Sequence, residues 1–227
     1  MEIVKEKRVT MTEIVQNTVV YIRELFKDEY SGHDYFHSMR VYLVAKKLAE
    51  KEGADIKIVS LAALLHDVDD IKLFPNSHEG KDNAVSFLKK EGVCDSDIKT
   101  ICTIIEEVSF KGDDSLVPST IEGKCVQDAD RLDALGAIGI ARAFSYGGYH
   151  HRQMYNPDIE PVLHMTKDEY RKHVSTTVNH FYEKLFLLKD LMNTRTALDI
   201  AKKREDFMRS FIEEFMLEWE GKDSSLI

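Results

Sequence analysis

Apolar residues recur at steps of three and four along most of this 227-residue chain, and that spacing is the period of an amphipathic α-helix. Thr10 and Glu13, at the start of the first such series, have the spacing of a capping box. Only 4 prolines and 11 glycines interrupt the chain, fewer than a turn-rich β architecture requires. The pattern therefore predicts an all-α fold.

Start and stop signals divide the chain into further predicted helices. They run from behind Gly32 to Gly53, from Asp55 to His66, from Asn76 to Gly92, from Asp95 through Ile105, from Ile121 to Phe144, from Thr166 through Leu187, and from Thr194 to Trp219. The stretch from Tyr146 to His164 is the least regular and is interpreted as a functional or specificity loop. No repeat or shift in composition marks a boundary, so residues 1–227 are expected to form a single domain.

The overall charge and the cysteines narrow the function classes. A formal net charge of −9 is unfavourable for gripping a nucleic acid polymer, although a small anionic substrate remains compatible with it. Three cysteines without a CxxC pair indicate neither a disulfide framework nor a structural zinc site. No apolar run reaches the length of about 18 residues that spans a bilayer, and the N-terminus lacks the apolar region of a signal peptide. We expect a cytoplasmic protein without a membrane partner.

The feature richest in chemistry is the pair His66-Asp67 at the end of an otherwise apolar helix. Burying an imidazole beside a carboxylate costs several kcal/mol unless something compensates. A divalent metal ion is one such compensation, and a simple His–Asp hydrogen bond or a neighbouring cation is the alternative.

Two other segments carry matching residues. His33 and His37 lie four residues apart near a helix start, and Asp128, Asp130 and Asp133 fall within six positions of an otherwise apolar helix. Carboxylates are rarely buried unless they are paired or bind a metal. Ligands from separate helices are what a helical bundle uses to build a metal site from inward-facing side chains.

The ordered set H…HD…D, in the local forms HDxxHxxRV, LLHDV and DADRLDALG, resembles the HD-domain phosphohydrolases. The resemblance extends from about Asp28 to Trp219, with the HD motifs within about 28–145 and the C-terminal helices within about 166–220. The small bacterial single-domain HD hydrolases are the most similar group. Some of them split nucleoside triphosphates into monophosphate and pyrophosphate.

The resemblance implies four metal ligands, His37, His66, Asp67 and Asp130. Asp130 is preferred to its acidic neighbours because the family ligand is the Asp before Arg. His37 is preferred to His33 because the ligand lies three residues before Arg-Val; His33 then points at the substrate. Such a mixed nitrogen and oxygen site suits Mn²⁺ best, with Fe²⁺, Ni²⁺, Co²⁺ or Mg²⁺ as alternatives.

The remaining roles are hypotheses with a structural alternative beside each. Asp70 is the candidate base that takes a proton from the attacking water, and a solvated acid at a helix end is its alternative. Arg131 and Lys184 are candidate phosphate contacts, and the alternative for both is an ordinary salt bridge. The aromatic residues near Tyr146 either stack on a base or pack on the bundle. The stripe of Phe207, Phe211, Phe215 and Trp219 belongs to the core or to a homodimer face.

The expected activity is metal-dependent hydrolysis of a nucleotide or a similar small phosphorylated metabolite, with nucleoside triphosphate cleaved to monophosphate and pyrophosphate. The alternatives are a phosphomonoesterase acting on nucleoside monophosphates, and a non-catalytic regulatory HD domain. A two-iron oxygenase needs further histidines that the pattern does not supply.

Overall fold

A computed structural model describes residues 10–29, 32–71, 73–108, 116–163, 165 and 173–222. These ranges form nine α-helices, one 3-10 helix and no strand, so the predicted all-α class is confirmed. The α-helices are α1 (Met11–Leu25), α2 (Tyr35–Glu52), α3 (Ile56–Leu65), α4 (Asp82–Lys90), α5 (Asp95–Val108), α6 (Ile121–Asp133), α7 (Gly136–Tyr149), α8 (Thr177–Glu183) and α9 (Arg195–Trp219). The 3-10 helix Leu185–Leu191 joins α8 to α9.

Several helix ends follow the predicted signals. The Thr10 side chain accepts from the backbone N–H of Glu13, and the Glu13 carboxylate accepts from the backbone N–H of Thr10, so the capping box is formed. Asp55 caps α3 and Thr194 caps α9. Gly53 ends α2 in the left-handed conformation, with a φ of 73°, which glycine adopts without a steric penalty.

Helix α3 forms the centre of the bundle. It packs against α1, α2, α5 and α6, and every residue from Ile58 to Leu65 is buried. A helix that is apolar all round is stable in water only when other helices surround it. Buried side chains from Ile14 to Ile212 form one hydrophobic cluster, and the single domain over residues 1–227 stays a prediction. Among the described helices, none is both long and apolar enough to cross a bilayer.

Two predicted helices have different bounds. The expected continuous helix from Ile121 to Phe144 is divided after Asp133, because Gly136 adopts a φ of +74° and Leu135 is extended. The helix expected from Asn76 begins only at Asp82, since residues 75–80 form turns and Lys81 before it is left-handed. Both departures depend on single backbone conformations that the apolar period does not reveal.

Other predictions concern exposure and the irregular region. The apolar period of the second helix predicts Phe36 and Leu43 in the core, but 63% and 52% of their surface is exposed. Helix α7 continues to Tyr149, so the irregular stretch begins at His150 rather than at Tyr146. The spacing of Thr166 and Glu169 predicts another capping box, and both residues lie outside the described part of the chain. The helix that the structure describes there starts at Thr177 with Thr176 as its cap.

Candidate metal centre

Helices α2, α3 and α6 bring their histidine and aspartate residues to one place. His37 lies in the first turn of α2, where its backbone N–H donates to the cap residue Asp34 at 2.7 Å. His66 is the C-terminal cap of α3, and Asp67 follows it. Asp130 lies near the C-terminal end of α6, which packs on both α2 and α3. Residues from three segments therefore meet because the central helix and its two neighbours are in contact.

The nitrogen and carboxylate oxygen atoms of these four side chains lie close together. Nε2 of His37 lies 3.2 Å from Nε2 of His66 and 3.4 Å from carboxylate oxygens of both Asp67 and Asp130. Nε2 of His66 lies 3.2 Å from Asp67 and 3.9 Å from Asp130. Ligand atoms about 2.1 Å from a common first-row ion lie roughly 3.0–3.5 Å apart. Four of these five separations fall in this range, and the cluster could hold one divalent ion.

The hydrogen bond of Nδ1 defines which nitrogen of each histidine ring carries the proton. Nδ1 of His66 donates to the carbonyl of Ala63 at 2.8 Å, because a carbonyl oxygen only accepts. Nδ1 of His37 donates to the carboxylate of Asp133 at 2.7 Å. In the neutral rings, both Nε2 atoms are then lone-pair acceptors, and they face two carboxylates. Four acceptors converge, an arrangement that only positive charge between them stabilises.

The acidities of these groups reflect the same demand for positive charge. Burial lowers the pKa of His37, but hydrogen bonds to Asp130, Asp133 and Asp67 outweigh it and raise the pKa to about 10. His66 is buried as well, yet the charge of Asp67 raises its pKa. Burial raises the pKa of Asp67, and the opposing charges of His66 and His33 bring it well below its ordinary value. A bound divalent ion would meet this demand without protonating the rings.

Asp133 holds His37 in place. One of its oxygens accepts from Nδ1 of His37 and, at 2.8 Å, from Arg142; the guanidinium of Arg40 donates to both oxygens at 2.7 and 2.9 Å. Asp133 lies three residues after Asp130, a spacing that predicts a supporting residue. Arg40 lies three residues after His37 within the first motif, whereas no local pattern indicated a role for Arg142. Arg142 also donates to the carbonyl of Gly32 at 2.7 Å.

His33 lies at the edge of the cluster. Its Nδ1 is 2.9 Å from a carboxylate oxygen of Asp67, and its side chain is 31% exposed. Two overlapping groups have metal-ligand spacing among the described residues: His33 with His37 and Asp67, and His37 with His66 and Asp130. His33 and His37, the two candidate ligands in the first motif, therefore lie in the same cluster.

A cavity of about 280 Å³ opens beside this cluster. Its lining residues include His33 and Arg142, which contact Asp67 and Asp133, and also Arg152, His180 and Lys184. His33, predicted to point at the substrate, and Lys184, a predicted phosphate contact, therefore line the same cavity. Burial, together with the charges of Lys184 and Arg152, lowers the pKa of His180 to about 3, so its ring is neutral at pH 7.

Arg131 differs from the expectation for a phosphate contact. Its buried guanidinium donates to the backbone carbonyl of Leu191, and this bond joins α6 to the segment before α9. Asp128, the acid that sequence reasoning rejected as a ligand, accepts from the backbone of Asn193 and Thr194 at 2.8 Å and so fixes the start of α9.

Asp70 is reached by a turn, because α3 ends at Leu65. Its backbone N–H donates to the carbonyl of Asp67 at 3.1 Å, and its side chain is partly exposed. The helix ends before Asp70, but the turn keeps the residue near Asp67. Its role as a base remains a prediction.

The aromatic residues divide between packing and cavity. Phe144 contacts Phe211 and Phe215 of α9, and Tyr155 packs against Phe215 and Trp219. Phe144 and Tyr155 therefore pack on the bundle, whereas Tyr146 lines the cavity. Phe207 is 54% exposed, and the homodimer face remains a prediction.

Comparison with known proteins gives the family. The model of the HD domain matches residues 34–135. The Bacillus subtilis protein YpgQ, described as uncharacterized, is 38% identical over 206 residues, which cover 90% of this chain and 93% of YpgQ. A crystal structure of YpgQ in complex with ADP has a TM-score of 0.74 and is covered over 100% of its length, against 92% of this chain.

Two further solved structures agree over nearly their whole length. A protein from Lactobacillus plantarum is 39% identical, with a TM-score of 0.82 over 94% of this chain and 99% of that one. An HD-superfamily hydrolase from Bacillus thuringiensis is 41% identical, with a TM-score of 0.74 over 93% and 99% of the two chains. The matched region contains all four predicted ligands, and this chain belongs to the HD superfamily of metal-dependent phosphohydrolases.

Proposed function

We propose that this protein hydrolyses a nucleotide with one divalent metal ion, Mn²⁺ foremost, held by His37, His66, Asp67 and Asp130. The observation that carries the proposal is the convergence of two imidazole lone pairs and two carboxylates within 3.2–3.9 Å, with both Nδ1 atoms already used as donors. A divalent ion bound there would lower the pKa of a water molecule and polarise a phosphoryl oxygen.

The residues around the cluster have separate tasks in this proposal. Asp133 keeps the His37 ring in the tautomer that turns its Nε2 lone pair to the cluster. Asp70, one turn beyond Asp67, accepts the proton of the attacking water. His33 and Lys184, which both line the cavity, contact the phosphate groups of the substrate.

The proposed substrate is a nucleoside triphosphate, cleaved to monophosphate and pyrophosphate. The water oxygen bonds to the α-phosphorus, and the bond from this phosphorus to the α–β bridging oxygen breaks, its electron pair leaving with pyrophosphate. One proton of the water reaches solvent through Asp70 and the other ends on pyrophosphate. Support comes from the ADP bound to the relative YpgQ and from the cationic cavity in a chain of net charge −9.

A release assay tests this proposal. Nucleoside tri-, di- and monophosphates are incubated with the protein and Mn²⁺, Co²⁺, Ni²⁺ or Mg²⁺, and orthophosphate and pyrophosphate are measured separately. We expect pyrophosphate from triphosphates and none from His66→Ala or Asp67→Ala. Orthophosphate from monophosphates alone would instead identify a phosphomonoesterase, and full turnover by either variant would refute the metal centre.

A further inference from the structure

Two residues link the cavity to the metal centre beside it. His33 bonds to Asp67 and lines the cavity, and Arg142 bonds to Asp133 and lines it too. A substrate with one phosphorus atom at the cluster can therefore extend into the cavity. We call the lining residues Ser175, Arg152 and Lys184 the far wall, and what they recognise decides which part of that substrate enters.

The charges on the cavity wall favour an anion. Arg142, Arg152 and Lys184 are lining residues, and Glu183 is the carboxylate among those that the structure describes. That carboxylate is buried and already accepts from His173 at 3.0 Å and from the backbone of Val162 at 3.2 Å. Positive charge is thus gathered at this wall although the whole chain has a net charge of −9.

A buried hydroxyl gives an independent indication of a ligand. Ser175 lines the cavity and is 6% exposed, and its Oγ has no hydrogen-bond partner within the described part of the chain. Buried polar atoms in folded proteins nearly always have a partner. A phosphate oxygen in the cavity would accept from this hydroxyl and supply the missing bond.

The wall is less suited to a nucleobase. Its tyrosine, Tyr146, has the Arg152 guanidinium 5.3 Å from its ring centroid, and the ring of His150 lies 4.1 Å from the same centroid. Its neighbours therefore already occupy much of the ring surface that would stack on a base. Donors and cations are what this wall offers to a ligand.

We infer that the far wall, formed by Ser175, Arg152 and Lys184, binds the pyrophosphate part of the substrate and orients it so that the α-phosphorus lies at the metal cluster. This inference rests on the proposed function and assigns the two ends of the substrate. It makes the enzyme select for a chain of phosphates, because a monophosphate whose phosphorus lies at the cluster has no further phosphate for the far wall. The neutral ring of His180 adds an N–H donor rather than a further charge.

Calorimetric titration without metal separates this inference from catalysis. Wild-type protein in EDTA is titrated with inorganic pyrophosphate, orthophosphate and adenosine, beside Lys184→Gln, Arg152→Gln and Ser175→Ala. Lys203→Gln, which removes the same charge from an exposed position of α9, is the matched control. Circular dichroism and a thermal melt show whether each variant is folded.

The wild type and the control should bind pyrophosphate alike and more tightly than orthophosphate. Loss of one charge-assisted contact in Lys184→Gln or Arg152→Gln should weaken pyrophosphate binding by about tenfold, and Ser175→Ala by a smaller factor. Unchanged binding in both folded charge variants would overturn the inference, as would adenosine binding that Ser175→Ala weakens while pyrophosphate binding stays intact. Binding that follows these expectations in a protein without turnover on any nucleotide would refute the proposed function alone.

Discussion

Asp133→Asn removes the charge that orients a metal ligand while it keeps nearly the same shape. The carboxylate is 5% exposed and makes four contacts of 2.7–2.9 Å, with His37, Arg40 and Arg142. Breaking a buried ion pair by removing one partner costs about 3–5 kcal/mol. Because the two arginine side chains are 34% and 24% exposed and regain water, we expect the lower end, about 3 kcal/mol.

Metal affinity should fall together with stability. An amide at position 133 cannot accept from His37 and both arginines at once, and its NH₂ group opposes the guanidinium donors. The His37 ring then loses its fixed tautomer, and loss of such a partner weakens metal binding about 10–100-fold. Titration with Mn²⁺ measures the affinity, and urea unfolding of the metal-free protein measures the stability.

The pH dependence of the stability difference has a definite sign. The pKa of Asp133 is lowered in the folded protein: burial opposes this, but the hydrogen bonds from His37 and Arg40 outweigh it. A lowered carboxyl pKa stabilises the fold above its ordinary value of 3.8, and this contribution is lost as the pH falls below it. The difference between wild type and Asp133→Asn should therefore be largest near neutral pH and shrink below about pH 4.

Asp128→Asn is the matched control on the same helix. Asp128 is equally buried, but its carboxylate accepts from Asn193 and Thr194 at the start of α9. This variant should lose stability and keep the metal affinity of the wild type. Wild-type affinity in Asp133→Asn, or an equal loss in Asp128→Asn, would refute the role given to Asp133.

Three further outcomes follow from single residues. The pKa of His180 falls from 6.5 to about 3 on folding, so protons favour the unfolded state below about pH 6.5. His180→Gln should therefore reduce the slope of the unfolding free energy against pH by up to roughly 1.4 kcal/mol per pH unit between about pH 4 and 6. Urea unfolding at a series of acidic pH values measures this slope. Gly139→Ala should lower the unfolding free energy, measured in urea, by about 2 kcal/mol or more, because a Cβ there would lie 2.2 Å from the Ala134 carbonyl oxygen. At Gly148, on the same helix, a Cβ meets open space, so Gly148→Ala should be neutral or stabilising by up to about 1 kcal/mol. Removing metal with EDTA should lower the melting temperature of the wild type and leave that of His66→Ala unchanged.

The sequence was sufficient for the helices whose ends are local. The bonds of the Thr10 capping box, the Asp55 cap and the left-handed Gly53 involve residues close in the chain, so their spacing predicted them. The division at Gly136 was missed, because a glycine inside an apolar period is equally compatible with a continuous helix. Phe36 was placed in the core by period alone, but which face of α2 is covered depends on its neighbours.

The same distinction applies to the site. The pair His66-Asp67 was conspicuous because polar residues follow a helix that has to be buried. The part played by Arg142 was not visible, since its bonds reach Asp133 and the carbonyl of Gly32, the latter 110 positions away in the chain. Ser175 gave no signal at all, because an unpartnered hydroxyl is recognised only when its surroundings are known.

The metal content of purified protein tests the central claim most directly. Wild type, His66→Ala and Asp67→Ala are stripped with chelator, loaded with Mn²⁺, freed of excess ion by gel filtration and analysed by elemental mass spectrometry, with pyrophosphate release measured on the same samples. We predict about one ion per chain and turnover in the wild type, and neither in the two variants. A wild type that retains no ion after loading with Mn²⁺, Fe²⁺, Co²⁺ or Ni²⁺, or variants that keep both ion and turnover, would contradict the assignment of this metal centre.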